Sequence, residues 1–208
     1  MRAFGLLHTM VSALGSTRQR LMRFEILPGL PPYGPMALSF THLGAREHRE
    51  GLVVRFYPTE SEAWVGNFLG GATACDFVLD HPNEADVIVV AKGEGSIVDL
   101  ENRTIREIIA VDIEEVISLP SIVVFRGMVS FMAIKADGSG WHSPRISWDG
   151  LRIIEVRGTE LLGTAYTPSA NEWMPFKLDL LTGHCTDGIY EKEMAGAVRV
   201  SGGKETKN

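Results

Sequence analysis

The sequence predicts an all-β domain: an antiparallel meander of three to four propeller-blade-like units, with a β-sandwich as the alternative. Three observations carry this. Short runs of β-branched and aromatic residues recur, namely "GLVVRFYP" (51–58), "DVIVVAKG" (86–93), "SIVVFRG" (121–127) and "LRIIEVRG" (151–158). Gly, Pro, Asn and Asp punctuate them at short intervals, the pattern of strands joined by tight turns. A basic-Gly step closes three of the runs, at Lys92-Gly93, Arg126-Gly127 and Arg157-Gly158, with glycines 34 and 31 residues apart. That spacing is an internal repeat of blade size.

Taken in chain order, residues 1–22 read as an N-terminal extension. "MRAFGLLHTMVSALGS" also has the outline of a short secretory leader, but His8 and Thr9 interrupt its apolar run. A single β-rich domain is expected over residues 23–190, entered through the Pro-rich "LPGLPPYGP" (27–35), with a loose tail over 191–208. "GLVVRFYPTESEAWVGNFLGG" (51–71) is a degenerate first unit. The second unit pairs "VIVVA" with "SIVDL", and the third pairs "IVVF" with "SFMAI". The fourth pairs "IIEV" with "LLGTAY" and is extended by "EWMPFKLDLLTGHCTDG". Residues 104–118 are the one later stretch with helical potential, though their Ile and Val content and Pro120 suit strands as well. "VSFMAIKA" and "GWHSPRIS" form a hairpin turned by Asp137-Gly138. Its alternation puts Phe131, Ala133 and Lys135 on one face, with Met132 and Ile134 on the other.

Two segments, "FKLDLLTG" (176–183) and "SIVDLENRTI" (96–105), resemble the strand-turn-strand signature of quinoprotein-like β-propeller blades. The tryptophan usual after the Thr-Gly is replaced here by His184 and Cys185. "SWDG" (147–150) carries the Trp-Asp of another propeller class without its upstream Gly-His. The layout from "RISWDG" to "LDLLTG" is similar to that of bacterial β-rich proteins of unassigned function, a resemblance that implies fold and no chemistry.

Charge and motifs narrow the function. The chain of 208 residues carries a net charge of −6 without a basic cluster, which disfavours nucleic acid and anionic membrane as partners. Cys75 and Cys185 lack zinc spacing and are expected as reduced thiols of a cytoplasmic protein. "KGEGS" (92–96) lies between strands and opens no helix that could hold phosphate, so no cofactor is expected. His184, Cys185 and Asp187 do not make a nucleophile site, because neighbours on a strand point to opposite faces. His42 and His48 fall singly in a polar loop. Asp76, Asp80, Asp86, Asp99, Asp112, Glu114 and Glu115 sit at strand ends, where capping explains them better than a metal does.

The residues singled out for binding are Lys92, Arg126, Arg157, Trp141 and Trp173. If the hairpins repeat in register, the three cations share one rim. Their replacement by Ala at Arg126 and Arg157 is expected to leave folding intact, as at exposed positions. "TPSANEWMP" (167–175) reads as the longest polar loop of the repeats and presents Trp173. The expectation is a non-catalytic module that binds another protein, in one form an immunity-type protein. The alternative is a small-molecule binder or metal-assisted hydrolase with its site at the propeller axis.

Overall fold

The structure is a computed structural model, and it describes residues 22–41 and 49–188. His42 and His48 lie outside the described residues, as do most of the N-terminal extension and the C-terminal tail. The protein is all-β, with sixteen strands in four sheets of four among the described residues.

Sheet 1 contains β1 (Phe24–Leu27), β2 (Leu38–Thr41), β3 (Leu52–Phe56) and β4 (Trp64–Leu69), in the order β1-β3-β4-β2. Here β2 crosses to the far edge and runs parallel to β4. The other three sheets are antiparallel meanders in chain order. Sheet 2 is β5 (Phe77–Asp80), β6 (Val87–Ala91), β7 (Glu94–Asp99) and β8 (Thr104–Ala110). Sheet 3 is β9 (Glu115–Leu119), β10 (Ile122–Arg126), β11 (Phe131–Lys135) and β12 (Gly140–His142). Sheet 4 is β13 (Leu151–Arg157), β14 (Glu160–Thr167), β15 (Glu172–Asp179) and β16 (Cys185–Thr186). The stretch over 104–118 thus forms β8 and β9, and its helical alternative is not adopted; the ladders of β8 with β7 and of β9 with β10 outweigh its weak local preference.

The sheets pack face to face in chain order. Val54, Phe56, Trp64 and Phe68 of sheet 1 share a core with Val78, Val87, Val89 and Val98 of sheet 2. The opposite face of sheet 2, through Leu79, Ile88, Val90 and Ile97, packs on Val123, Phe125 and Ile134 of sheet 3. Ile122, Val124, Phe131 and Ala133 then meet Leu151, Leu161, Phe176 and Leu178 of sheet 4. Burial on two faces explains why "VIVVA" and "IVVF" are unbroken apolar runs. Among the described residues sheet 4 is covered on one face only, and buried and exposed residues alternate along β14 and β15. The partition expected for β11 is found: Phe131 and Ala133 face sheet 4, Met132 and Ile134 face sheet 2.

One contact recurs between sheets. Asp99 and Asp179 each end the third strand of their sheet, and each Oδ1 accepts two backbone N–H groups of the following turn. The next residue, Leu100 or Leu180, is buried. Its carbonyl accepts the indole N–H of a tryptophan from the preceding sheet, Trp64 at 2.9 Å and Trp141 at 3.2 Å. Satisfying the indole donor in this way lets a large amphipathic ring fill the seam between sheets.

Candidate interaction surface

The three basic-Gly steps do not occupy equivalent corners. Lys92-Gly93 and Arg126-Gly127 connect second to third strands, whereas Arg157-Gly158 connects the first to the second. The repeat slips by one strand in sheet 4. Arg126 Nη1 donates to Leu151 O at the start of β13, and Arg157 stands at the other end of that seven-residue strand. At ~3.3 Å per residue the separation along β13 is about 20 Å. The shared rim of three cations is therefore replaced by two ends, with Arg157 alone on one.

Each cation has a different environment. Lys92 occupies a left-handed backbone position with φ 45°, and its own N–H donates to Asp76 Oδ1 at 2.7 Å. The Arg126 side chain is only 12% exposed and binds both Glu114 and Glu115, the latter at 3.0 Å. It is thus a structural tie between sheets 3 and 4, and the expectation that its removal is harmless is corrected. Two-residue turn geometry at Pro120-Ser121 sets Arg126 opposite Glu115, a pairing the sequence spacing carries. Arg157 is 65% exposed and pairs at 2.7 Å with Glu155 on its own strand, which holds the Glu155 carboxyl below its usual range.

Trp141 is half-buried, donates to Leu180 O and packs against Gly183, where a Cβ would come within 2.4 Å of the indole. Trp173 does not lie in a polar loop. Residues 168–171 alone connect β14 to β15, and Trp173 is a strand residue paired with Tyr166. The alternation of buried Phe176 and Leu178 with exposed Pro175 and Lys177 extends the strand through that segment.

Trp173 is the centre of a cluster on the outward face of sheet 4. The Tyr166 and Trp173 ring centroids lie 5.4 Å apart at an interplanar angle of 51°. The Arg152 guanidinium carbon stands 3.7 Å from the Trp173 ring centroid, a close cation-π stack. Arg152 is exposed and forms no hydrogen bond or ion pair among the described residues. The Tyr166 hydroxyl donates to Asn171 Oδ1 at 2.7 Å, fixing the ring edge. The chain before β13 is stapled to the same end: Ser147 Oγ donates to Tyr166 O at 3.0 Å, and Tyr166 N donates to Gly150 O at 3.2 Å. Arg145 donates to Ser147 O and Trp148 O while its guanidinium lies 5.8 Å from the Trp148 ring. Three aromatic rings and two arginines from four sequence segments thus gather at one end of sheet 4. Their union depends on the β14–β15 register and on the Ser147 staple.

The polar groups elsewhere are engaged in structure. Arg106 bridges Asp86 at 3.1 Å and Asp99 at 2.6 Å, beside buried His81. Hydrogen bonds from Asn102 and Arg106 hold the Asp99 carboxyl below its usual range. Burial pushes the His81 imidazole down, and its Nδ1 accepts Asn83 N–H, which leaves the proton on Nε2. Arg23 binds Asp80. Burial and the neighbouring Asp76 push the Cys75 thiol up, away from a reactive thiolate. No group of three or more His, Cys, Asp or Glu residues is arranged for a metal ion among the described residues. No helix among them is long and apolar enough to cross a membrane.

A cleft of about 520 Å³ is lined by Arg49, Glu50, Gly71, Lys92, Glu94 and Val111, among others. A smaller one of about 140 Å³ lies beside Asp112, Phe125 and His142. The chain matches no known family, and no curated protein matches it.

Proposed function

We propose that this protein is a non-catalytic binding module that engages another protein through the outward face of sheet 4. The observation that carries this is the Tyr166–Trp173–Arg152 cluster. Trp, Tyr and Arg are the residues enriched at interface hot spots, and stacking has already removed much of their rotamer freedom. No core cluster of the described residues packs on that face. The perturbed, buried titratable groups Asp99 and His81 belong to an ion-paired and hydrogen-bonded seam and not to a cleft, which favours binding over acid–base chemistry.

The four-stranded units in chain order support reading them as propeller-type blades. The shared cores run only between consecutive sheets among the described residues, which favours an open array over a closed ring. A second reading, a binder of small molecules, is favoured by the 520 Å³ cleft beside Lys92.

The test is affinity capture from lysate of the source organism with the native chain and with Arg152→Glu, whose exposed site leaves the fold intact by circular dichroism. A stoichiometric protein that binds the native bait and is lost from the variant is expected. A partner retained equally by both baits refutes the assignment of this surface. A small molecule travelling with both baits, and no protein, moves the site to the cleft.

A further inference from the structure

We infer that Arg152 is a receptor for a carboxylate, and that the partner segment docking on sheet 4 is acidic. This rests on the interaction reading above and names the partner's chemistry. Seven other described arginines have their guanidinium groups occupied by hydrogen bonds or ion pairs. Arg23, Arg55, Arg106, Arg126 and Arg157 bind carboxylates. Arg103 and Arg145 donate to carbonyls. Among the described residues Arg152 has only its indole stack.

A guanidinium laid flat on a ring keeps its N–H groups in a plane that points away from the ring. The fork is therefore pinned in position, with its N–H groups open to solvent and to a ligand. Long side chains carry ~2 kcal/mol of rotamer entropy, and here the stack has already spent part of it. A planar, pinned fork matches a carboxylate with two parallel hydrogen bonds. Around it, Thr164 and Pro175 share the outward row of Arg152, and Leu162 and Lys177 share the next. Lys177 adds a second exposed cation, and the only carboxylate beside it in that row, Glu155, is held by Arg157. The row pattern of cation, small apolar surface, cation suits an extended segment that turns an acidic, an apolar and an acidic side chain to the sheet at positions i, i+2 and i+4.

The probe is a short acetylated, amidated peptide Glu-Ser-Leu-Ser-Glu, which turns Glu, Leu and Glu to one face of an extended strand, titrated into the full chain to ~5 mM. Its counterpart has Gln at every Glu. The readouts are the Arg152 Nε–H and Trp173 indole N–H resonances, assigned by difference from Arg152→Lys and Trp173→Phe. The Glu peptide is expected to shift both resonances, and the Gln peptide to bind about tenfold or more weakly, as for loss of one charge-assisted bidentate contact. Arg152→Lys keeps the charge, loses the fork and is expected to weaken the Glu peptide by a similar factor. Equal binding of both peptides, or no shift of either resonance, overturns the inference. Inorganic phosphate shifting Arg152 as strongly as the Glu peptide does shows a generic anion site and also overturns it. If the peptides fail while Arg152→Glu still loses a captured partner, the acidic chemistry falls and the interaction surface stands. If the peptides fail and Arg152→Glu retains the captured partner as the native chain does, the surface itself is refuted.

Discussion

Arg126→Ala is expected to cost far more stability than Arg157→Ala, although both residues close an apolar strand with the same Arg-Gly step. The Arg126 side chain is 12% exposed and holds Glu114, Glu115 and Leu151 O together. Removing one partner of a buried ion pair costs roughly 3–5 kcal/mol. Here the carboxylates are 33% and 46% exposed, so they rehydrate when released and most of that figure is lost to solvent screening. The stranded Leu151 carbonyl adds about 1 kcal/mol. The net is about 2–3 kcal/mol, or a melting temperature lowered by roughly 4–12 °C for a chain of this size. Arg157 and Glu155 are exposed and make a pair within one strand, so Arg157→Ala leaves the transition in place. Thermal unfolding of both variants by far-ultraviolet circular dichroism, at one protein concentration, decides. Coincident melting curves for the two variants refute the assignment of Arg126 as a tie between sheets.

Two further outcomes are expected. His81 has a folded-state pKa lowered by burial, so the unfolded chain takes up the proton first as pH falls. Its contribution is complete above the unfolded value of about 6.5 and declines below it, at a limiting slope of ~1.4 kcal/mol per pH unit. Urea unfolding of the native chain and His81→Gln between pH 7.5 and 5.5 tests this; the variant should lose the slope. Lys92→Gly removes a side chain from a left-handed backbone position and raises the urea midpoint, the relieved strain of about 1–2 kcal/mol exceeding the entropy of ~0.4–1 kcal/mol given to the unfolded chain. An unchanged or lowered midpoint shows that the Lys92 side chain contributes contacts that outweigh its strain.

The strands were legible because burial on two faces writes itself as unbroken β-branched runs, as in β6 and β10, and burial on one face as alternation, as in β14. The hairpin of β11 and β12 could be read down to the facing of single residues. The repeat of Arg-Gly steps misled, because a hairpin end looks the same whichever pair of strands it joins; the slip in sheet 4 is visible only in the pairing. Arg126 looked like a surface cation because its partners are set by cross-strand register at Glu115 and by chain reversal at Glu114. The cluster at Trp173 was half visible. The ring was singled out, but Arg152 lies 21 residues away and meets it only across two ladders of sheet 4.

The face-to-face packing of consecutive sheets has a kinetic consequence. Within sheets 2, 3 and 4 every ladder joins strands adjacent in sequence, so each closes short loops alone. Each finished sheet then offers an apolar face to the next one along the chain, as in a linear array of coupled units. Assembly can proceed as the chain leaves the ribosome, one sheet templating its successor. Sheet 1 is the exception, since β2 must wait for β4 before it can dock in parallel. Unfolding should start at the two terminal sheets, each packed on one neighbour among the described residues, so that a partner bound on sheet 4 would clamp one of the two ends that open first.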